Sequence, residues 1–289
     1  MTLFLQQILN GLVIGSTYAV VAVGFSMVFT VLRVINFAHP DIFMLGMFGG
    51  LAAASYVSHN AVVVLVLGTI GAGVAGLVLE RFVIRPLRGR DVLMTLVATL
   101  GVAMMIENGM ALLAGPDPIP YPALIAQVPI NLGGVQLGER QLFNFLLSLA
   151  VLGLASFYVR GTSFGRATRA IAERPDVAAA FGVNVDIISQ ITVVLASMMA
   201  GVAAVSVGTL YGSAWAFVGL LYGLKSFIVM LVAGNRYFEG VMAVALGLGV
   251  LEALVTGYIS SSLSDAVAFF MLIVVLYFRP NGLFGSYAV

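Results

Sequence analysis

The sequence predicts an all-α, polytopic membrane protein with about eight or nine transmembrane helices. Of its 289 residues, 61% are hydrophobic and 9% are charged, whereas soluble domains carry about 25% charged residues. The mean hydropathy is +1.11. Apolar tracts of roughly 20 residues recur, each long enough to cross the hydrocarbon core of a bilayer. Since no polar break could hold a folded soluble domain, we expect residues 1–289 to form a single membrane domain.

Nine apolar tracts are candidate spans, separated by polar breaks at 81–91, 115–141 and 160–187. The spans are residues 5–30, 42–58, 61–80, 92–114, 142–159, 188–208, 220–235, 238–258 and 264–279. Two segments, 31–46 and 220–235, can each form a re-entrant or broken helix instead of a crossing. That alternative lowers the count to eight and reverses the side of one terminus.

The arginines predict the orientation of the chain. The breaks 81–91 and 160–187 hold four arginines each, whereas 115–141 holds only Arg140. Arg279 follows the last span. By the positive-inside rule, 81–91, 160–187 and the C-terminus face the cytoplasm, and 115–141 faces outward. The N-terminus then lies outside, and its lack of a basic region argues against a cleaved signal peptide.

Polar residues interrupt the apolar sequence at 35–46, which reads INFAHPDIFMLG. Pro40 breaks or kinks a helix that runs through it. A broken helix is tolerated at membrane depth only where the freed backbone groups meet protein or a water-filled cavity. Asn36 and His39 can supply such partners, and Asp41 suits the first turn of a new helix. We therefore predict a broken helix near 31–46.

Two readings of this cluster stay open from the sequence alone. The polar side chains either only rebuild the broken helix end, or they line a translocation path together with a hydroxyl-bearing surface on the preceding helix. A proton relay through His39 is a third hypothesis. The candidates for lining a path are Ser16, Tyr18, Asn36, His39 and Asp41.

Further polar residues lie inside predicted spans, where ionisable side chains usually face the bundle interior and pair with one another. Lys225 can pair with Glu252 or with Glu107, or it can extend from a helix end toward water. The intramembrane polar residues are Glu107, Asn108, Lys225, Glu252 and Asp265.

The sequence does not predict an enzyme. It contains no cysteine and no HExxH motif, and it offers no candidate catalytic residue or metal site. A P-loop requires GxxxxGK[ST] to hold phosphates. The nearest match, 219–226, has Leu224 in place of the second glycine. We therefore expect this chain to bind no cofactor and to hydrolyse no ATP.

The break at 161–184 predicts two short helices outside the membrane. Thr162 or Ser163 can cap the first. Pro175 suits the first position of the second, about 175–181, and Gly182 suits its left-handed C-terminal cap. An alanine face on this helix permits a partner to dock closely, although arginines near anionic lipid explain the loop equally well. The predicted docking residues are Arg166, Arg169, Pro175, Asp176, Ala178, Ala179 and Gly182.

Residues 176–182, DVAAAFG, resemble the EAA-x-x-x-G coupling segment of ABC-importer permeases, with Asp176 replacing Glu and Val177 replacing the first Ala. The whole chain resembles the LivH-type permeases of branched-chain amino-acid ABC transporters. Two departures are Pro40, where that family usually has glycine, and 233–240, where it usually has a glycine-rich turn. The matching segments are NGLVIGSTYAVVAVGFSMVF (10–29), VINFAHPDIFMLG (34–46), FGRATRAIAERPDVAAAFGVN (164–184), LKSFIV (224–229) and FRPNGLFG (278–285).

The resemblance implies a permease subunit of an ATP-driven importer of branched-chain or related neutral amino acids in the bacterial inner membrane. It also implies a second permease subunit, related to this one, and a periplasmic substrate-binding protein. Two ATPase subunits would bind ATP and Mg and would engage the coupling helix near 175–182. Nucleic acid is not an expected partner. The alternatives are a urea or short-amide permease, a secondary transporter or channel acting alone, and a purely structural membrane subunit.

Overall fold

The computed structural model describes residues 2–125, 129–132, 135–234 and 238–285. Nine longer apolar helices account for most of them: α1 (Thr2–Leu32), α2 (His39–Tyr56), α3 (Ala61–Leu79), α5 (Val92–Ala114), α6 (Glu139–Gly161), α9 (Val185–Tyr211), α10 (Val218–Ala233), α11 (Phe238–Tyr258) and α12 (Ser264–Phe278). Shorter helical segments are a π-helical turn (Glu80–Ile84), α4 (Arg85–Leu87), α7 (Ser163–Glu173), α8 (Pro175–Ala180) and a 3₁₀ turn (Ser261–Leu263).

Four short strands lie in the connections and were not predicted. Strand β2 (Pro129–Leu132) pairs antiparallel with β3 (Val135–Gly138) in the connection before α6. Strand β1 (Ile119–Pro120) pairs antiparallel with β4 (Ser213–Ala214), which follows α9. These pairings leave the all-α class unchanged, because they involve only two to four residues in each strand.

Seven helical segments of the described chain are long and apolar enough to cross a membrane. The two remaining longer helices are α2 and α10, which fall at the two segments that the sequence marked as ambiguous. Helix α2 begins with the polar stretch His39–Asp41. The 16 residues of α10 extend only about 24 Å, less than the roughly 30 Å of a hydrocarbon core. Of the nine longer apolar helices in the described ranges, seven therefore have the length and composition of full spans.

Helices α1 and α9 form the centre of the bundle, and most of each is buried. Helix α1 packs against α11, α9, α10 and α6, and α9 packs against α3 and α2. Helices α5 and α12 lie at the periphery with most of their apolar surface exposed. A surface of this kind is stable only against lipid or another membrane subunit.

Glycines allow the closest helix contact, between α1 and α11. A Cβ atom added to Gly11 would lie 2.5 Å from Cα of Val250, and one added to Gly249 would lie 2.5 Å from Cα of Gly15. Such separations require glycine on both helices. Other small residues spaced four apart also pack within the chain: Gly46, Gly50, Ala72, Gly76, Gly219 and Gly223.

One end of the bundle, here called the arginine-rich end, carries the α3–α5 connection, α7 and α8. Hydrogen bonds and ion pairs connect the helix ends there. They join Arg33 to the main-chain oxygens of Ala172 and Glu173, Arg85 and Arg88 to Asp186, Arg160 to Glu239, and the Leu283 amide to the Val232 oxygen. The two arginine-bearing breaks and the residues after α12 therefore share one end, as the charge pattern predicts.

The opposite end, here called the hairpin end, carries β2–β3 and the start of α1. The side chain of Gln6 exchanges two hydrogen bonds with the main chain of Gln136, at 2.7 and 2.8 Å. The amide of Tyr121 donates to the Gly212 oxygen at 2.9 Å. The indole of Trp215 donates to the Pro116 oxygen at 2.7 Å. The N-terminal residues thus lie at the same end as the break 115–141.

The predicted broken helix is present between α1 and α2. The amide of Ala38 donates to Asn36 Oδ1 at 3.1 Å, and that of Phe37 donates to Thr99 Oγ1 at 3.3 Å. Asp41 lies in the first turn of α2. Because side chains of the chain itself meet the freed amides, the first of the two readings, repair of a helix end, is confirmed for Asn36.

Candidate functional site

A cavity of about 1320 Å³ extends from the hairpin end into the bundle, between α1, α9, α10, α11 and α12. Gln6, Gln136 and Trp215 lie around its outer part. Tyr18 and Lys225 lie at its inner limit. Ligand pockets usually measure about 300–1,000 Å³, so this cavity is large enough for a small molecule and water.

Four side chains form the charged floor of this cavity: Tyr18, Lys225, Glu252 and Asp265. Lys225 Nζ lies 3.0 Å from Glu252 Oε1 and 2.8 Å from Asp265 Oδ1. The Tyr18 hydroxyl donates to Glu252 Oε2 at 2.9 Å and lies 3.1 Å from Lys225 Nζ. The side chains of Lys225 and Glu252 are only 8% and 6% exposed, whereas that of Asp265 is 59% exposed. One cation therefore faces two carboxylates at the boundary between protein and cavity.

The predicted pair of Lys225 and Glu252 is confirmed, whereas the alternative pair with Glu107 is wrong. Glu107 lies on α5, beside a separate small cavity. Lys225 also does not extend to the surface, because Glu252 and Tyr18 hold its ammonium group inside. The sequence places Lys225 and Glu252 only 27 residues apart on successive helices, which makes this contact the easier of the two to form.

Aromatic and aliphatic side chains surround the charged floor. The ring of Tyr222 stacks on Phe43, with 5.2 Å between centroids, and lies 5.7 Å from the ring of Tyr18. Lys225 Nζ lies 5.4 Å from the Tyr18 ring centroid, a favourable cation–π distance. The aliphatic wall includes Met47, Val207, Leu210 and Val218.

The structure separates the five side chains proposed to line a path. Tyr18 lines the large cavity. Ser16 is buried, and its hydroxyl donates to the Val13 oxygen at 2.7 Å within α1. Asn36 and His39 are both 1% exposed and belong to neither cavity. Successive residues of a helical turn point in different directions, so the cluster INFAHPD does not present one shared face.

Asp41 lines the smaller cavity, of about 90 Å³, together with Glu107 and three phenylalanines. His39 packs edge-on against Phe25, with 5.2 Å between centroids. Its two ring nitrogens have no hydrogen-bond partner among the residues that the structure describes. Asn108 donates to the Met104 oxygen of its own helix at 2.8 Å and faces outward.

The predicted short helix at the arginine-rich end is present as α8. Pro175 and Asp176 form its first turn, and Gly182 has the positive φ of 84° expected of a left-handed cap. Arg174 pairs with Asp176 at 3.1 Å, and this contact lowers the pKa of the Asp176 carboxyl. Asp176 therefore stays ionised at neutral pH. Thr162 caps α7 by accepting from the Gly165 amide at 2.9 Å.

Helix α8 has one face toward the bundle and one away from it. Ala178 is buried in a cluster with Val31, Ile171 and Ile188. Ala179 is exposed, and the Phe181 side chain is 85% exposed. Arg166 and Arg169 on α7 are exposed too, and the Arg169 guanidinium donates to the Val159 oxygen. The outward face of α8 therefore carries Ala179 and Phe181, and the sequence's two readings of this segment, docking of a partner and contact with lipid, both remain open.

The profile of the family described as branched-chain amino acid transport system / permease component matches residues 7–276. The chain belongs to this permease family. The high-affinity branched-chain amino acid transport system permease protein BraD of Pseudomonas aeruginosa is 32% identical over 98% of this chain and 96% of BraD. The LivH proteins of Salmonella typhimurium and Escherichia coli, described in the same words, are 33% and 32% identical with the same coverage.

The family match begins in α1 and ends in α12, so it covers the whole helical bundle of the permease. Membership in a family of transport-system components favours a permease subunit over a secondary transporter that acts alone. It agrees with a multi-pass protein of the inner membrane.

Sequence reasoning missed two features of the permease. Asp265 was recognised as an intramembrane polar residue but not as a partner of Lys225. Asn144, on α6, joins three helices: it donates to Thr17 Oγ1 at 3.0 Å and accepts from Ser206 Oγ at 2.6 Å. An asparagine within an apolar span was the available signal for this second cluster, since such residues usually bond across helices.

Proposed function

We propose that this permease is a membrane subunit of an ATP-driven importer of branched-chain amino acids. Membership of the family, over 7–276, carries the proposal, and three relatives of nearly equal length have the same description. Leucine, isoleucine and valine are the common amino acids with branched aliphatic side chains, and they are the substrates of this proposal.

The assembly would contain a second, related permease subunit, two ATPase subunits that bind ATP and Mg, and a periplasmic binding protein. The exposed apolar surface of α5 and α12 supports the first contact. The exposed Ala179 and Phe181 of α8 support docking of an ATPase subunit. The hairpin end, where the large cavity opens, would receive the amino acid from the binding protein. The arginine-rich end would then face the cytoplasm, in agreement with the positive-inside rule.

Closure of the ATPase subunits would move α8, and two contacts would transmit this movement to α1. Ala178 packs against Val31 in the last turn of α1. Arg33, two residues after Val31, is hydrogen-bonded to the end of α7. The cavity would change from outward to inward access only if the two states bind nucleotide with different affinity.

The test is uptake of labelled L-leucine into proteoliposomes that contain the complete assembly. Uptake should require ATP on the side of the arginine-rich end and the binding protein on the other side. An assembly with an inactivated ATPase is the control and should import no L-leucine. Uptake driven by an ion gradient without nucleotide would contradict the proposal. Uptake of urea or a short amide in preference to L-leucine would correct the substrate class.

A further inference from the structure

The charged floor of the large cavity carries groups of both signs beside an aliphatic wall. We propose that it is a binding site for the zwitterionic head group of an aliphatic amino acid as it passes through this subunit. The inference rests on the proposed function and adds to it a position within the chain and a role for Lys225 and Asp265.

Charge complementarity is the first argument. A bound amino acid carries an ammonium and a carboxylate on one carbon atom, so it adds no net charge to the site. Its carboxylate would accept the Lys225 N–H that now faces Asp265, while Lys225 keeps its hydrogen bonds to Tyr18 and Glu252. Its ammonium would bind Asp265. The floor already holds two carboxylates for one ammonium, so a carboxylate without an ammonium would add a third negative charge, which is unfavourable. An amine without a carboxylate would reach Asp265 but would leave the Lys225 N–H that had faced Asp265 without an acceptor.

The unequal exposure of the two carboxylates is the second argument. Glu252 is buried and bonded to both Tyr18 and Lys225, so it fixes the position of the ammonium of Lys225. Asp265 is mostly exposed, at the start of α12. A ligand ammonium can replace Lys225 as the partner of Asp265 without leaving a buried charge unpaired. Asp265 is therefore the residue of the floor that can exchange its present partner for a ligand at the lowest cost in free energy.

The composition of the wall is the third argument. Leu210, Val218 and Leu221 present aliphatic surface to the cavity, and Leu221 is 41% exposed. Met47 and Val207 also belong to this wall, but at 0% and 3% exposed they offer almost no accessible surface. A branched aliphatic side chain gains roughly 25 cal/mol for each Å² of surface that it buries there. The site thus matches an amino acid that is charged at one end and aliphatic at the other.

A cysteine protection experiment tests the site without relying on transport. The chain contains no cysteine, so Ser264→Cys, at the cavity next to Asp265, provides its single thiol. The assembly is placed in proteoliposomes without nucleotide or binding protein. The rate of labelling by a membrane-impermeant maleimide is then read on this chain. We expect L-leucine to slow labelling several-fold. Isoamylamine and isocaproate, which each lack one charged group, should not slow it.

Two charge variants and one control complete the test. In the Ser264→Cys background, Asp265→Asn should abolish protection by L-leucine. Lys225→Gln combined with Glu252→Gln should do the same without leaving a buried charge unpaired. Asp117→Asn is the control, because Asp117 is an exposed carboxylate at the hairpin end that does not line the cavity. Co-elution with the partner subunits shows that each variant is folded.

The outcomes separate this inference from the proposed function. Protection by isoamylamine equal to that by L-leucine, or full protection in Asp265→Asn, would overturn the zwitterion site. So would absence of protection in proteoliposomes that still import L-leucine with ATP, and the proposed function would then stand. If the unsubstituted assembly imports no L-leucine, the proposed function itself is rejected, and with it the role of the site in transport.

Discussion

Arg33 Nη2 lies 2.9 Å from the main-chain oxygen of Glu173, and at the same distance from that of Ala172. This guanidinium joins the residue that follows α1 to the end of α7. Among the described residues, Arg33 is the single non-glycine position with a positive φ, of 53°. Such a conformation persists only where surrounding contacts hold it. Arg33 therefore connects the end of α7, and with it α8, to the segment between α1 and α2.

We expect Arg33→Gln to lower ATP-driven uptake several-fold while ATPase activity persists. Each charge-assisted hydrogen bond contributes about 1.5–3 kcal/mol, and their loss lets α7 move without α1. The measurement is the ratio of L-leucine imported to ATP hydrolysed in proteoliposomes. Arg90→Gln, at an exposed arginine of the same end, is the control. An unchanged ratio in Arg33→Gln would show that the link carries no movement.

Gly182→Pro should uncouple ATP hydrolysis from uptake without preventing membrane insertion. Proline fixes φ near −65°, whereas Gly182 has φ of 84°, so the end of α8 must change direction. Gly182→Asn is the matched variant, because asparagine tolerates the left-handed conformation better than other residues, and it should keep most of the coupling. Normal uptake by Gly182→Pro in membrane vesicles would refute the assignment of α8 as a docking helix.

A bulky charge at Ala179 should have the same effect through a different cause. Ala179 is exposed on α8, whereas its neighbour Ala178 is buried against the bundle. Ala179→Glu therefore changes the docking surface and leaves the packing of α8 intact. Ala179→Ser, which adds little volume and no charge, is expected to behave as the unsubstituted chain. Co-purification of the ATPase subunits measures docking, and full recovery with Ala179→Glu would place the contact elsewhere.

Lys225→Met should destabilise the chain, because it leaves Glu252 buried and unpaired. Breaking a buried ion pair by removing one partner costs about 3–5 kcal/mol. The double variant Lys225→Met with Glu252→Gln should recover much of this loss, since Asp265 is exposed and water can solvate it. The measurement is the thermal unfolding temperature in detergent of the unsubstituted chain, the single variant and the double variant. Equal stability of the single and double variants would mean that Glu252 carries no charge in the folded state.

Gly249→Leu should prevent correct packing of α11 against α1, because a side chain there would overlap the backbone of Gly15. The expected loss exceeds the roughly 1–3 kcal/mol of an overpacked core, since backbone cannot move aside as a side chain can. Gly247→Leu, on the same helix, is the control: a Cβ at Gly247 meets nothing within 4 Å. The yield of monodisperse protein should fall for Gly249→Leu alone.

Local signals predicted much of the fold. Apolar tracts located the nine longer helices, Pro40 located the break before α2, and Pro175 with Gly182 delimited α8. Each of these signals acts through the backbone of the residue itself or of its neighbours, so one sequence is sufficient to read it.

The cavity depended on contacts between distant segments and was not predicted. The bond between Tyr18 and Glu252 joins residues 234 positions apart, and no local pattern specifies such a pair. The same limit explains why Asn36 and His39 were grouped with Tyr18: they are polar and near in sequence, but neither lines the cavity, and His39 packs against Phe25 instead. The β2–β3 hairpin escaped notice because its strands contain four residues each.

Trp215 is the only tryptophan of the chain, and its indole bridges to Pro116 at the mouth of the large cavity. The isolated subunit thus contains a built-in optical reporter. Its ultraviolet emission arises from one position, so a change in wavelength on adding an amino acid would register a rearrangement of that entrance without any attached dye.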